Sequence, residues 1–254
     1  MALHAPWSRA ERPDRSDPED MTLVEHLKEL RRRLVICILA GLAGGIVAFA
    51  AYTPVLGVLM HPYCASLPPG HACNLYVTGP LQGFSIRVKI AVYGGIFLAS
   101  PIILWQLWRF ITPGLNPNEK RYAVPFIVSS FVLFTAGATT AYLVANKALH
   151  FLAAVGGPSL KQIYTPTSYV SLVVLLMVAF GLAYELPVVL ICLELAGVLS
   201  PARLAAWRRW AIVIIFALAA IFIPSSDPFS LFAMAIPMCL FYELAIIVGK
   251  VLKR

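Results

Sequence analysis

The stretch YVSLVVLLMVAFGLAYELPVVLICLEL, residues 169–195, decides the class of fold that this chain adopts. A helix needs about 20 predominantly apolar residues to cross the hydrocarbon core of a bilayer, and this stretch exceeds that length. Glu185 lies near its middle, with apolar residues on both sides. The stretch therefore predicts a transmembrane helix that carries a carboxylate inside the membrane.

The rest of the chain repeats this apolar pattern. Hydrophobic residues make up 60% of the 254 residues and charged residues 13%, whereas soluble proteins contain about 25% charged residues. So much apolar surface in a short chain excludes a soluble domain. The sequence predicts an all-α polytopic membrane protein, with one six-helix domain over residues 22–254 and spans near 34–59, 86–105, 124–146, 169–195, 211–223 and 229–249.

Residues 1–21 differ in composition from that domain, because they are polar, charged and contain prolines. They have too little apolar surface to fold alone, so we expect a disordered leader and not a cleaved signal peptide. Thr22–Glu25 is a capping-box pattern, and leucines follow it at helical spacing. A short amphipathic helix at the membrane surface is therefore predicted to run into the first span.

Basic residues indicate how the chain is oriented. The net charge is +8, and the chain has 20 Lys and Arg residues. Six spans would place 16 of them on the same side of the membrane as the N-terminus. The exceptions are Arg87, Lys89, Lys147 and Lys161. Since basic loops favour the cytoplasmic side, both termini are predicted to be cytoplasmic. Because the basic residues lie between apolar runs, they do not indicate a nucleic-acid-binding surface. Arg87 and Lys89 are expected at the outer boundary of the second span, snorkelling or facing protein.

The last two spans form an unusual hairpin. The fifth apolar stretch has only 13 residues and reaches about 20 Å as a helix, against a hydrocarbon core of about 30 Å. The sixth follows after a short connection. We expect a shallow hairpin of short fifth and sixth spans beside which the bilayer thins; a short helix shielded by its neighbours is the alternative.

Two cysteines share one polar loop. Cys64 and Cys73 are nine residues apart, and a loop on the oxidising side of the membrane would allow a disulfide between them. Two free thiols are the alternative. The other cysteines, Cys37, Cys192 and Cys239, lie in apolar runs and are expected to be packing residues.

Several groups of residues occur together in one order and spacing: Glu25–Leu34, Ser100–Leu115, Glu119–Arg121, Phe180–Pro187, 224–227 and 235–238. Together they resemble the TatC family, the signal-peptide receptors of the twin-arginine protein translocase, from about residue 22 to residue 249. The resemblance implies a signal-peptide-binding surface on the cytoplasmic side that contains Glu119, Glu29, Phe110, Arg31, Lys120 and Arg121.

Glu119 is the leading candidate in that surface. A carboxylate pairs bidentately with the guanidinium group of arginine, which lysine cannot reproduce. Each candidate also has a structural interpretation. Glu119 belongs to a capping pattern before the third span, Glu29 has an i,i+4 partner in Arg33, and Phe110 suits an interfacial aromatic anchor.

The second group of candidates lies in or beside the spans. A charge at the position of Glu185 costs at least about 2.5–3.5 kcal/mol, and Pro187 frees a backbone carbonyl nearby. The resemblance implies that Glu185 contacts partner subunits or cargo; a protonated packing residue is the alternative. Asp227 is predicted to cap the sixth span, and Tyr142 and Pro62 match family positions with structural roles.

The leading functional hypothesis is a receptor and core subunit of a translocase for folded precursors. The resemblance implies single-span TatA-type and TatB-type partners, self-association in a larger complex, and energy from the proton-motive force. No nucleotide-binding motif, cofactor or metal-ligand spacing is evident. A proton-coupled small-molecule transporter that uses Glu185 is the alternative, although inverted repeats are not visible. An intramembrane enzyme would need a catalytic constellation that the sequence lacks.

Overall fold

A computed structural model describes residues 23–67, 73–111, 123–157, 164–223 and 227–252; the predicted leader, 1–21, lies outside them. Helices account for most of the described residues, and no strand occurs among them. In chain order they are α1 Leu23–Ala50, α2 Tyr52–Ser66, α3 Gln82–Ile111, α4 Ala123–Gly156, α5 Pro166–Tyr184, α6 Leu186–Leu195, α7 Pro201–Ala206, α8 Arg208–Phe222 and α9 Pro228–Leu252.

Five helical segments among the described residues are long and apolar enough to cross a membrane: α1, α3, α4, α5 with α6, and α9. The sixth segment, α8, has 15 residues and reaches about 22 Å, which is less than the hydrocarbon core. The prediction of an all-α fold with six transmembrane helices is thus confirmed. Only α8 is short in the described hairpin, because α9 continues beyond Gly249 and has 25 residues.

Prolines divide two of the predicted spans. The stretch 34–59 was expected to be one helix, but α1 ends at Ala50 and α2 begins at Tyr52. Pro54 explains this end, because a proline ring clashes with the carbonyl four residues earlier, which is that of Ala50. In the same way Pro187 separates α5 from α6 at Glu185.

Small residues allow α1 to pack closely on α3. A Cβ atom added to Gly95 would lie 2.5 Å from the carbonyl oxygen of Gly41, and one added to Gly44 would lie 2.8 Å from that of Gly95. Such close backbone contact is how helices associate in a bilayer, where burial of apolar surface drives them together only weakly. The outer face of α1 stays apolar and exposed, because only 6% of its span is buried.

The largest core lies at the other side of the molecule, where α5, α8 and α9 meet. Phe180, Ala219, Ala235 and Ile246 have 0% exposure in this cluster. Phe216 of α8 and Phe232 of α9 also make an edge-to-face contact with their ring centroids 6.0 Å apart. The short helix α8 is therefore held by side-chain packing against α9 and α5.

We expect Gly95→Ala to destabilise the protein by about 1–3 kcal/mol, because its methyl group would overlap α1. Thermal unfolding of the purified protein in detergent measures this change. Gly57→Ala on α2 is the matched control, because nothing lies within 4 Å of its added Cβ atom. Equal unfolding midpoints for the two variants would contradict the close contact.

Candidate functional site

One end of the bundle, which we call the basic end, contains the start of α1, the end of α3 and the start of α4. Here Arg33 donates from Nε to Glu29 Oε1 at 3.1 Å and forms an ion pair with the same carboxylate. Arg33 also donates to the backbone oxygen of Gln106 on α3, at 3.4 Å. Glu29 thus has the i,i+4 partner that its sequence indicated, and its side chain remains 24% exposed.

Of the other predicted signal-peptide-binding residues, two lie within the described part of the chain. Phe110 is half-buried near the last turn of α3, and Arg31 is exposed on α1. Glu119, Lys120 and Arg121 lie outside the described residues, between Ile111 at the end of α3 and Ala123 at the start of α4. The described ends of α3 and α4 that flank this segment lie at the same end of the bundle as Glu29.

Glu185 occupies the break between α5 and α6. Its Oε1 atom is buried and has no hydrogen-bond partner, and the Ser130 hydroxyl group of α4 lies near enough to influence the carboxyl group. Ser130 is fully buried and accepts a hydrogen bond of 2.7 Å from Trp108 Nε1 on α3. Polar groups of α3 and α4 are therefore buried on the side of the bundle that faces the intramembrane carboxyl group.

A groove of about 300 Å³ lies beside Glu185. Leu182, Leu186 and Val189 line it from α5 and α6, and Leu218 and Phe222 line it from α8. Glu185 is the acidic residue in this lining. The arrangement can offer a carboxyl group to an apolar helix that approaches through the membrane.

Asp227 caps α9. Its Oδ1 atom accepts a hydrogen bond of 2.7 Å from the backbone N–H of Ser230, and its side chain is 1% exposed. A side-chain acceptor at this position satisfies a backbone donor that the first helical turn leaves unpaired. The geometry is that of the predicted helix cap.

Similarity to known proteins identifies the family to which this chain belongs. The model of the family described as Sec-independent protein translocase protein (TatC) matches residues 25–237. The chain belongs to the TatC family. The resemblance that the sequence motifs predicted is therefore confirmed, and a role as a component of a protein translocase follows from it.

Individual TatC proteins match over most of the chain. TatC of Aquifex aeolicus is 43% identical over 239 residues, which cover 92% of this chain and 97% of that protein. TatC of Frankia casuarinae is 42% identical over 238 residues, which cover 90% of this chain. The match spans just 65% of the Frankia protein, so that relative is substantially longer.

Solved structures agree with the sequence comparison. The crystal structure of the twin-arginine translocase receptor TatC superposes with a TM-score of 0.73 at 41% identity, covering 91% of this chain and 100% of that one. A second crystal structure of this receptor, in the detergent DDM, gives a TM-score of 0.74. The TatC fold therefore extends through nearly the whole described chain.

At the opposite end, which we call the disulfide end, this TatC family member holds α2 by tyrosine hydroxyl groups. Tyr142 on α4 donates to the carbonyl oxygen of Val58 at 2.7 Å. This carbonyl lies four residues before Pro62, which has no N–H to pair with it. Tyr169 on α5 donates to the neighbouring carbonyl of Leu59 at 2.6 Å. Tyr142 and Pro62 thus form one unit that positions α2.

The disulfide end has covalent support as well. Cys64 and Cys73 form a disulfide bond with their Cα atoms 5.3 Å apart. The backbone N–H of Tyr76 donates to the carbonyl of Tyr164 at 3.2 Å, and the rings of Tyr63 and Tyr164 meet edge to face at 5.7 Å. Burial raises the pKa of the Tyr164 hydroxyl further above its usual alkaline range.

Arg87 and Lys89, the two basic residues predicted at the outer boundary of the second span, also lie near this end. Arg87 places its guanidinium group 4.8 Å from the centre of the Tyr52 ring, a cation–π contact. Lys89 donates from Nζ to Ser171 Oγ at 2.7 Å. The expectation that these cations face protein groups therefore agrees with their contacts.

Several residues that matter to these sites escaped the sequence analysis. Ser130 and Trp108 contact the Glu185 region, Tyr169 supports α2, and Glu194 is 1% exposed at the end of α6. The Glu194 carboxyl group packs against Gly249 of α9, where a Cβ atom would overlap it. The sequence marks such residues only as polar groups within apolar stretches. It does not reveal which helix packs against each of them.

We expect Tyr142→Phe to cost about 0.5–1.5 kcal/mol, because the hydroxyl donor to Val58 is lost. In a Pro62→Ala background the cost should fall, since the alanine N–H can pair with that carbonyl. Thermal unfolding of the four proteins in this double-mutant cycle measures the coupling. Tyr93→Phe is the control, because Tyr93 on α3 lines an apolar groove and removal of its hydroxyl group should cost little. Additive costs in the cycle would rule out the shared carbonyl.

Proposed function

We propose that this TatC family member is the receptor and a core subunit of a translocase that exports folded precursors bearing twin-arginine signal peptides. The observation that carries the proposal is its likeness to a solved twin-arginine translocase receptor, at 41% identity over 91% of the chain. Family membership favours this function over a proton-coupled small-molecule transporter.

The proposed location is the cytoplasmic (inner) membrane, with both termini in the cytoplasm. The basic end would then face the cytoplasm, because α1 begins there and carries Lys28 and Arg31–Arg33. The disulfide end would face the oxidising side, in agreement with the Cys64–Cys73 bond. The distribution of Lys and Arg along the whole chain supports the same orientation.

Recognition of the signal peptide would use the carboxylates of the basic end. Glu119 would accept a bidentate pair of hydrogen bonds from one arginine of the peptide. Glu29 would receive the second arginine, because its ion pair with Arg33 leaves part of the carboxylate exposed. Phe110 would contact the apolar part of the peptide, and Arg31, Lys120 and Arg121 would bind its carbonyl groups.

Single-span partners of the TatA and TatB type would pack near α5 to α9, and further copies of this chain would join the complex. The groove beside Glu185 supports this placement, because an apolar helix fits its lining. A donor from such a partner would satisfy the buried Oε1 atom, which otherwise costs about 1–3 kcal/mol. The proton-motive force would supply the energy for transport.

We expect Glu119→Gln to weaken binding of a twin-arginine peptide about tenfold or more, because a charge-assisted hydrogen bond is replaced by a neutral one. Crosslinking of a labelled signal peptide to inverted membrane vesicles measures the change. Replacing the peptide arginines with lysine should weaken binding to the wild-type chain to a similar extent.

Glu243→Gln is the matched control for this experiment. Glu243 is a half-exposed carboxylate on α9 that pairs with Arg208 at 2.8 Å and does not belong to the proposed signal-peptide-binding surface. Peptide binding should survive this change. Equal crosslinking to wild type and Glu119→Gln, with no response to lysine in the peptide, would overturn the proposed recognition.

A second prediction concerns the intramembrane carboxyl group. Glu185→Ala should leave peptide crosslinking unchanged and strongly reduce export of a folded reporter, because the contact with partner or cargo is lost. Leu175→Ala is the control, since it truncates an exposed apolar side chain on the same span. Normal export by the Glu185 variant, at matched protein levels, would remove the functional role of this residue.

A further inference from the structure

A second groove lies between α6, α7 and α8. Its volume is about 390 Å³, and apolar side chains such as Leu190, Leu199, Ala211 and Ile214 form most of its lining. Arg203 is the charged residue in that lining. The groove therefore combines an apolar channel with a single cation.

The guanidinium group of Arg203 has no acidic partner among the described residues. Arg203 is exposed on α7, and no acidic side chain of the described residues lies within ion-pair distance of it. The nearby Arg208 differs, because its guanidinium group pairs with Glu243. An anionic ligand at the mouth of the groove would thus meet an uncompensated guanidinium group.

Aromatic residues show the depth at which this groove lies. Trp207 lines the groove and is 58% exposed, and Trp210 one turn further on is 67% exposed. Tryptophans with this exposure at the start of an apolar helix are typical of the headgroup layer of a membrane. From there the groove follows α8 to Leu218, into the hydrocarbon layer.

We propose that this groove binds an anionic phospholipid. The phosphate pairs with Arg203 beside Trp207, and one acyl chain lies along Ala211, Ile214 and Leu218. Basic pockets between transmembrane helices bind anionic lipid headgroups in this manner. The site stands independently of the proposed recognition of signal peptides.

The composition of the lining selects this occupant. A larger groove of about 450 Å³ is lined by apolar surface of helices α1 to α5. Because this lining carries no charge, it would accept a lipid chain and an apolar helix equally well. In the groove at α8, charge and apolar lining occur in the order that a phospholipid presents them. A single-span protein helix is the competing occupant, and an apolar helix offers no partner for the cation.

Native mass spectrometry of the full-length chain tests the proposal. The protein is purified in detergent with equal amounts of phosphatidylglycerol and phosphatidylcholine that carry the same acyl chains. We expect about fivefold preferential retention of phosphatidylglycerol, the factor that one basic residue contributes near an anionic headgroup. Arg203→Gln should abolish this preference.

Arg209→Gln is the matched control, because it removes the same charge two residues after Trp207 from a position outside the lining. It should keep the preference. Ala211→Phe, which fills the groove and leaves Arg203 in place, should reduce retention of phosphatidylglycerol. Thermal unfolding verifies that each variant is folded, and Ala211→Phe still tests the site if Arg203→Gln is unstable.

Crosslinking in membranes distinguishes the occupants. A photoreactive residue in place of Ala211, in vesicles that contain phosphatidylglycerol, should form adducts with lipid. Adducts with protein alone would overturn the proposal. Equal retention of both lipids by the wild type, or equal losses in the Arg203 and Arg209 variants, would also overturn it.

Discussion

The structure depends on the requirement that every backbone polar group inside the bilayer has a hydrogen-bond partner. Prolines break this pairing in several helices, and side chains restore it. Tyr142 donates to the carbonyl of Val58 that Pro62 leaves open, and Ser100 donates to the carbonyl of Phe97, four residues before Pro101, at 2.7 Å. Pro62 and Pro101 therefore lie inside continuous helices, and a side-chain hydroxyl group pairs with the carbonyl that each of them leaves open.

The break at Pro187 has a different consequence, because it lies beside a carboxyl group. Glu185 stands where the helical ladder is interrupted, next to a groove. The Ser130 hydroxyl group influences its carboxyl group and accepts a hydrogen bond from Trp108 on α3. The break that Pro187 makes therefore leaves a buried carboxyl group beside a groove, with polar groups of two other helices nearby.

The two ends of the bundle are built differently. At the disulfide end, a covalent bond, two tyrosine hydroxyl groups and aromatic contacts hold α2 on α4 and α5. At the basic end, Arg31 and Arg32 of α1 remain exposed. An end tied by a covalent bond opposite an end with exposed charges suits a receptor that binds its ligands from one side of the membrane.

The sequence by itself determined the membrane class, the six spans, the family and the prominence of Glu185, because these follow from local hydropathy and from motif order. The cap formed by Asp227 was also readable, since a cap depends on neighbouring residues. Local patterns did not reveal that 34–59 divides at Ala50, although Pro54 was visible, because prolines are also tolerated inside continuous transmembrane helices, as Pro62 and Pro101 show.

Only the tertiary structure decided which distant groups meet. The pairing of Tyr142 with the carbonyl before Pro62, the hydrogen bond of Trp108 to Ser130, and the groove with Arg203 in its lining each join separate helices. Their distances depend on how glycines and prolines set helix packing, which hydropathy does not encode. The physical reason is that hydropathy is a property of each segment, whereas a site is a property of several segments in contact.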